Sequence, residues 1–160
     1  MKGSAQKRAR GTAGYVTVET VVIFPALFSI LMTFAQVAEL EVACLTATHS
    51  ANAAARSAVV VIADDPKHYG SQVGSTQGRR GQDITSAATV PFKVVDAKPN
   101  VKVTFDKSQY KPGDQVKVRV SYEYPCTVAI GKFVACGPNA RRTIVREATM
   151  PYQGAGYTYP

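Results

Sequence analysis

The sequence predicts an α+β chain: a long N-terminal helix, membrane-spanning in its first half, packed on a small antiparallel β-sheet domain. Three observations predict it. An uncharged apolar run covers Thr20–Ala38. An alanine-rich helical pattern then continues to Ala63 without Gly or Pro. From Val90 onward the hydrophobic period changes to two, as in strands with one buried face. The chain has 160 residues, enough for one small domain and an anchor but not for two large domains.

The first fourteen residues form a short basic leader. Lys2, Lys7, Arg8 and Arg10 give it four positive charges and no acid, half of the formal net charge of +8. The remaining Lys and Arg are scattered and form no stripe with interleaved aromatics, which argues against a nucleic-acid partner.

Residues 15–38 form the predicted transmembrane helix. Its uncharged part, nineteen residues from Thr20 to Ala38, matches the length needed to cross a bilayer core. A soluble core helix would show a polar face, and this one has none before Gln36. The basic cluster precedes the run, so the N-terminus is expected on the cytoplasmic side and the C-terminus outside. Three readings fit such a segment: a signal peptide cut after the apolar run, an uncut signal anchor, or a leader cut before it. A signal peptide would have a shorter apolar core and a small-x-small site soon after it. Here Ala43–Leu45 and Ala51–Ala53 fall inside continuing helical pattern.

Glu19 is the only charge between Tyr15 and Ala38. An acid in an apolar span is costly, roughly 2.5 kcal/mol or more at the centre and less near an end, so it usually has a role. Pro25 lies inside the span. It removes a backbone donor and tends to kink a helix, a cost that membrane helices tolerate. The kink is either a fitted bend or simple tolerance.

Residues 39–63 are the exported continuation of the helix. Small residues such as Ala43, Ala47, Ser50, Ala51, Ala54 and Ala58 permit close approach of a neighbouring helix. Val59, Val60, Val61 and Ile62 are expected to pack on the sheet. Asp64-Asp65-Pro66 ends the helix, since Pro cannot continue it. Residues 64–90 read as a flexible loop rich in Gly, Ser, Gln and Arg. Asp64, Asp65 and His68 lack metal-ligand spacing and read as a solvated helix end, so no metal or other cofactor is expected.

Residues 91–160 form the small β domain. Val101–Phe105 and Val116–Tyr122 alternate, with the turn residues Lys111-Pro112-Gly113-Asp114 between them. Thr127–Ala135, broken at Gly131-Lys132, reads as a hairpin, and Arg142–Met150 as a last strand. The total is about four strands, one face against the helix. Cys126 and Cys136 have nine residues between them. In an exported domain a disulfide is the default for such a pair, with two unpaired thiols as the alternative. The tail from Tyr152 to Pro160 is either a contact segment or a disordered end.

The run Gly14-Tyr15-Val16-Thr17-Val18-Glu19 resembles the type IV prepilin processing motif: basic leader, Gly, four residues, Glu, apolar helix. The longer stretch GYVTVETVVIFPALFSILMTFAQVAEL, with Pro25 and the downstream Ala53-Ala54-Ala55-Arg56, is similar to TadE-like pseudopilins of tight-adherence (Tad/Flp) pilus systems. It differs in having Thr20 where an aromatic often follows the Glu. The resemblance covers about the first third of the chain and implies a pilin-like fold. It implies cleavage between Gly14 and Tyr15 by a prepilin peptidase, on an extended backbone. The new amine of Tyr15 would then pair with Glu19 of its own or a neighbouring subunit, setting register in a low-dielectric setting.

The major Flp pilin is little more than the apolar helix. The residues beyond Ala63 therefore imply a minor pseudopilin. Its partners would be the peptidase, other pilins and pseudopilins, and an inner-membrane assembly platform, and it would act in pilus assembly or initiation for adhesion. A type II secretion pseudopilin shares the leader, and an uncleaved, membrane-anchored exported binding or enzyme domain is the reading from another class. No triad, phosphate loop or metal motif is present in the sequence, so no catalytic role is expected.

Overall fold

A computed structural model describes the backbone of residues 5–154 and the side chains from Val18 to Gly154. The fold class is α+β, as the sequence predicts. Helix α1 runs over Ala5–Ala63, 59 residues. It is followed by α2 (Pro66–Tyr69), α3 (Arg79–Thr89) and a 3-10 turn at Val90–Val94. Then come β1 (Val101–Phe105), β2 (Gln115–Pro125), α4 (Gly131–Cys136) and β3 (Arg141–Pro151).

The helix begins ten residues before the expected start at Tyr15. Ala5, Gln6, Lys7, Arg8, Ala9 and Arg10 are good helix formers, and their charge does not stop the chain from coiling. The leader boundary at residue 14 therefore leaves no mark on the backbone. Of the leader, residues 1–4 lie outside the described residues, as do residues 155–160 of the tail.

The chain divides into two compact units. One contains the residues up to Glu39 together with Cys126–Ala140; the other contains Leu40–Pro125 and the residues from Arg141 onward. The expected β domain over residues 91–160 is therefore interrupted, because its fifteen-residue segment Cys126–Ala140 belongs with the N-terminal helix.

Among the described residues of the second unit the sheet has three strands in the order β1-β2-β3, all antiparallel, rather than about four. The alternation in β2 is complete: Val116, Val118, Val120, Tyr122 and Tyr124 are buried. Register places Tyr122 opposite Ile144 and Val118 opposite Ala148 on β3, and these partners share the buried face. Phe92 of the 3-10 turn covers it, its ring centroid 4.3 Å from that of Tyr122. The Tyr122 hydroxyl donates to the Asp96 carboxylate at 3.2 Å.

From Leu40 on, α1 buries Ala43, Ala47, Ser50, Ala51, Ala54, Ala55, Ala58 and Ile62. Of the four residues expected to form its packing face, only Ile62 is buried, and Val60 is 69% exposed. Four successive residues point around the whole helix, so they cannot share a face; the alanine stripe at spacings of three and four does. Its small side chains let α3 come close, and the Ser50 hydroxyl donates to the carbonyl of Ala88 at 2.5 Å.

Residues 64–90 are an ordered connection rather than a flexible loop. The Asp65 carboxylate accepts from the Lys67 amide at 2.8 Å and caps α2, Pro66 occupies its first turn, and Gly70 closes it in the left-handed conformation. Helix α3 then buries Arg80, Ile84 and Ala88 at four-residue spacing. Arg80 is fully buried and clamps the end of α1. Its guanidinium donates to the carbonyls of Val61 and Asp64, the latter at 2.9 Å, and to the Ser71 hydroxyl at 3.0 Å. It also lies 4.5 Å from the centre of the Tyr69 ring. A cation here meets the negative end of the α1 macrodipole.

Candidate assembly site on the N-terminal helix

From Val18 to Phe34 the helix presents apolar side chains outward. Val21, Val22, Phe24, Leu27 and Leu31 are each at least 60% exposed, and Phe24 and Phe28 stack at 5.9 Å. Among the described residues, one helix near the N-terminus is long and apolar enough to cross a membrane. Glu19 is exposed on this helix, and so is Pro25. Gly14 and Tyr15 lie within α1 rather than in the extended backbone expected for a cleavage site, and their side chains fall outside the described ones.

Pro25 deprives the Val21 carbonyl of its usual helical donor. Just beyond it, the Ser29 hydroxyl donates to the Pro25 carbonyl at 2.7 Å, and Thr33 to the Ser29 carbonyl at 2.8 Å. Such back-bonding holds hydroxyls against the helix instead of offering them outward, and it favours a slight bend.

The second feature of this unit is the segment that returns from the sheet. Cys126 and Cys136 are joined as a disulfide. The enclosed stretch is not a hairpin: Gly131–Cys136 is helical. One helical turn satisfies the amides of this short loop locally. The amide of Lys132 donates to Val128 at 2.9 Å, and that of Phe133 to Ile130 at 3.2 Å. The loop is seated on α1 by Gln36, which is fully buried and whose side-chain carbonyl accepts from the Val128 amide at 2.9 Å. The Thr127 hydroxyl donates to Glu39 at 3.4 Å. Gly131 allows the contact, since a Cβ there would meet the Met32 carbonyl oxygen at 2.5 Å and the Gln36 Cβ at 2.8 Å. Between loop and helix lies a groove of about 400 Å³, walled by Ile30, Thr33, Phe34, Val37, Ile130 and Val134.

The structure thus brings Cys126 and Cys136 together and sets their loop on the helix, some way along from Glu19 and Pro25. Sequence reasoning missed Gln36, Glu39 and Gly131. The available signal was Gln36 itself, an uncharged polar residue closing an apolar run. Among the described residues no group of His, Cys, Asp or Glu is placed to hold a metal ion. Asp64 and His68 approach each other to 3.7 Å at the partly exposed end of α1.

Perturbed titrating groups lie on the sheet and in the connection between β1 and β2. Glu147 accepts from Lys117 at 2.6 Å and from Arg119 at 2.7 Å, and these hydrogen bonds hold its carboxyl below the usual range. Burial, reinforced by Asp96, pushes the Tyr122 hydroxyl up to about 12. Burial and the hydrogen bond to Asp106 do the same for Tyr110.

Compared with known families, residues 28–131 match the alpha-2-macroglobulin bait region domain. The chain belongs to that family. The match begins inside α1 at Phe28 and ends at Gly131, the first residue of α4. It takes in the groove-bearing part of the helix, the alanine stripe, β1 and β2. Gly14, Tyr15, Glu19 and Pro25 lie outside it. No curated protein and no solved structure matches the chain.

Proposed function

We propose that this chain is a minor pseudopilin of a Tad/Flp-type pilus, cut by a prepilin peptidase after Gly14 and acting in pilus assembly or initiation. It resides in the inner membrane with its N-terminus cytoplasmic and its C-terminus outside. One observation carries the reading: from Val18 to Phe34 α1 is an apolar helix with little cover of its own, and Glu19 is exposed at the start of that stretch. Such a surface needs lipid or other helices around it. A carboxylate in that surface needs a cation, and the amine freed at Tyr15 supplies one about a helical turn away. The helical state of residues around Gly14 means that the peptidase must first unwind about a turn.

The measurement is the intact mass of the protein from cells with and without a prepilin peptidase. Loss of residues 1–14 only when the peptidase is present is the expected result. A chain still starting at Met1, or one starting beyond Ala38, rules the reading out. Glu19→Ala is expected to leave membrane insertion intact and to reduce piliation.

The bait region domain match favours a second reading in one respect. It covers residues on both sides of Ala63 without touching the processing motif. An uncut membrane-anchored domain of that family would account for the match alone, and the intact N-terminus it requires is read in the same mass spectrum.

A further inference from the structure

The geometry points to the Cys126–Cys136 loop as a membrane-interface wedge, with the groove it forms on α1 as a seat for a lipid acyl chain. The inference rests on the membrane-spanning reading of Thr20–Ala38. Gly131 abuts the helix at Met32 and Gln36. These residues lie six and two positions before Ala38, so at 1.5 Å per residue the loop reaches about 3–9 Å below the outer end of the span. That is the depth, roughly 5–10 Å, at which interfacial elements settle.

The loop is built for that depth. Backbone polar groups in hydrocarbon must be satisfied internally. Here Cys126 donates to Ala140, Val128 to Gln36, Lys132 to Val128, Phe133 to Ile130 and Ala140 to Gly137. Apart from Thr127 at its start, the loop's exposed side chains are apolar: Phe133 is 62% exposed, Val134 70% and Ile130 41%. The Lys132 amine lies 5.1 Å from the centre of the Phe133 ring, and a long side chain of this kind can keep its stem in apolar surroundings while the charge reaches the headgroups.

The occupant of the groove follows from its walls. Ile30, Phe34, Val37, Ile130 and Val134 present carbon. The two hydroxyls at hand, of Ser29 and Thr33, are both spent on the helix backbone. A slot with no polar group to offer, continuous with the lipid-facing surface of the same helix, suits a hydrocarbon chain.

The chain contains no Trp, so a single introduced Trp reports its own surroundings. The full chain carrying Phe133→Trp is reconstituted in phosphatidylcholine–phosphatidylglycerol vesicles containing lipid brominated near the headgroup end of its acyl chain. The expected result is blue-shifted emission, most of it lost to the brominated lipid and little to acrylamide. Leu27→Trp, in the middle of the span, is the reference and is expected to be quenched by lipid brominated near the chain terminus. If Leu27→Trp is quenched by lipid while Phe133→Trp emits as in water and yields to acrylamide, the wedge is overturned and the span stands. If neither is quenched by lipid, the span reading itself fails. If Phe133→Trp resists both quenchers and its emission shifts with protein-to-lipid ratio, a second copy covers the loop, which also overturns the wedge.

Discussion

Replacing Arg80 by Met tests whether residues 64–90 are fixed by one buried side chain. The guanidinium gives the Asp64 carbonyl a donor that the end of a helix otherwise lacks, and the Val61 carbonyl a second donor beside the Asp64 amide at 3.4 Å. It also holds Ser71 and packs on Tyr69. Hydrogen bonds from a charged donor are worth about 1.5–3 kcal/mol each, and a desolvated cation–π contact about 2 kcal/mol. These contributions share one group and do not add. Met fills much of the volume but takes the charged donor away from two part-buried carbonyls, so the net loss is expected at about 2–4 kcal/mol. Against a total stability of about 5–15 kcal/mol, that is large. The assay is urea unfolding of the full chain in detergent micelles, followed by far-ultraviolet circular dichroism. Limited proteolysis in parallel should show new cleavage between Asp65 and Gly78. Arg80→Lys keeps the charge but loses the fork, and should fall between the two. A loss below about 1 kcal/mol for Arg80→Met, with the segment still protected, would refute the clamp, because no buried charge-assisted cap is that weak.

Three other outcomes follow from the same coordinates. Gly131→Val puts side-chain atoms into the Met32 carbonyl and Gln36; it should lift the loop off α1 at a cost of about 1–3 kcal/mol, seen as faster hydrogen exchange at the Val128 amide. Removing the disulfide with Cys126→Ser and Cys136→Ser should cost roughly 2–3 kcal/mol for a loop of this size and open Thr127–Ala135 to proteases. Tyr110 and Tyr122 both hold their protons up to about 12, above the ordinary value of 10.0. A raised native value means that the native state binds the proton more tightly than the unfolded chain. That contribution is therefore complete below pH 10 and lost as pH rises toward 12; unfolding midpoints should fall across that window, and less steeply for Tyr122→Phe.

The parts of the fold legible in the sequence are those with a strong hydrophobic period. The long helix and its end at Asp64-Asp65-Pro66 were readable because apolar content and the Pro stop agree. The strands β1 and β2 were readable because alternation runs for five residues or more; β3 buries only Ile144 and Ala148, four apart, and carries no such period. Helix α3 was not, for a physical reason. Its buried stripe is Arg80, Ile84 and Ala88, so one strongly apolar residue marks a face whose first member is a cation. Two arginines in the first turn also oppose the helix dipole, and only a tertiary partner, the end of α1, makes that favourable. The disulfide loop was half legible. A bond between Cys126 and Cys136 is the default for two cysteines in an exported domain, but a short helix there depends on Gly131 meeting Met32 and on Gln36 accepting from Val128, contacts about a hundred residues apart in sequence. Of the candidate site, Glu19 and Pro25 are where the sequence puts them, on an exposed apolar helix. The docking of a distant loop further along that helix left only Gln36 as a trace.

The strand order β1-β2-β3 makes β3 a sheet edge along eleven residues. An edge of that length is a template on which other chains can add strands. Here it carries Arg141, Arg142, Arg146 and Glu147, all exposed except for the partial cover that Lys117 and Arg119 give Glu147. These charges act as gatekeepers against fibrillation. Neutralising Arg142 and Arg146 would remove that protection and leave the same strand open to amyloid-like stacking.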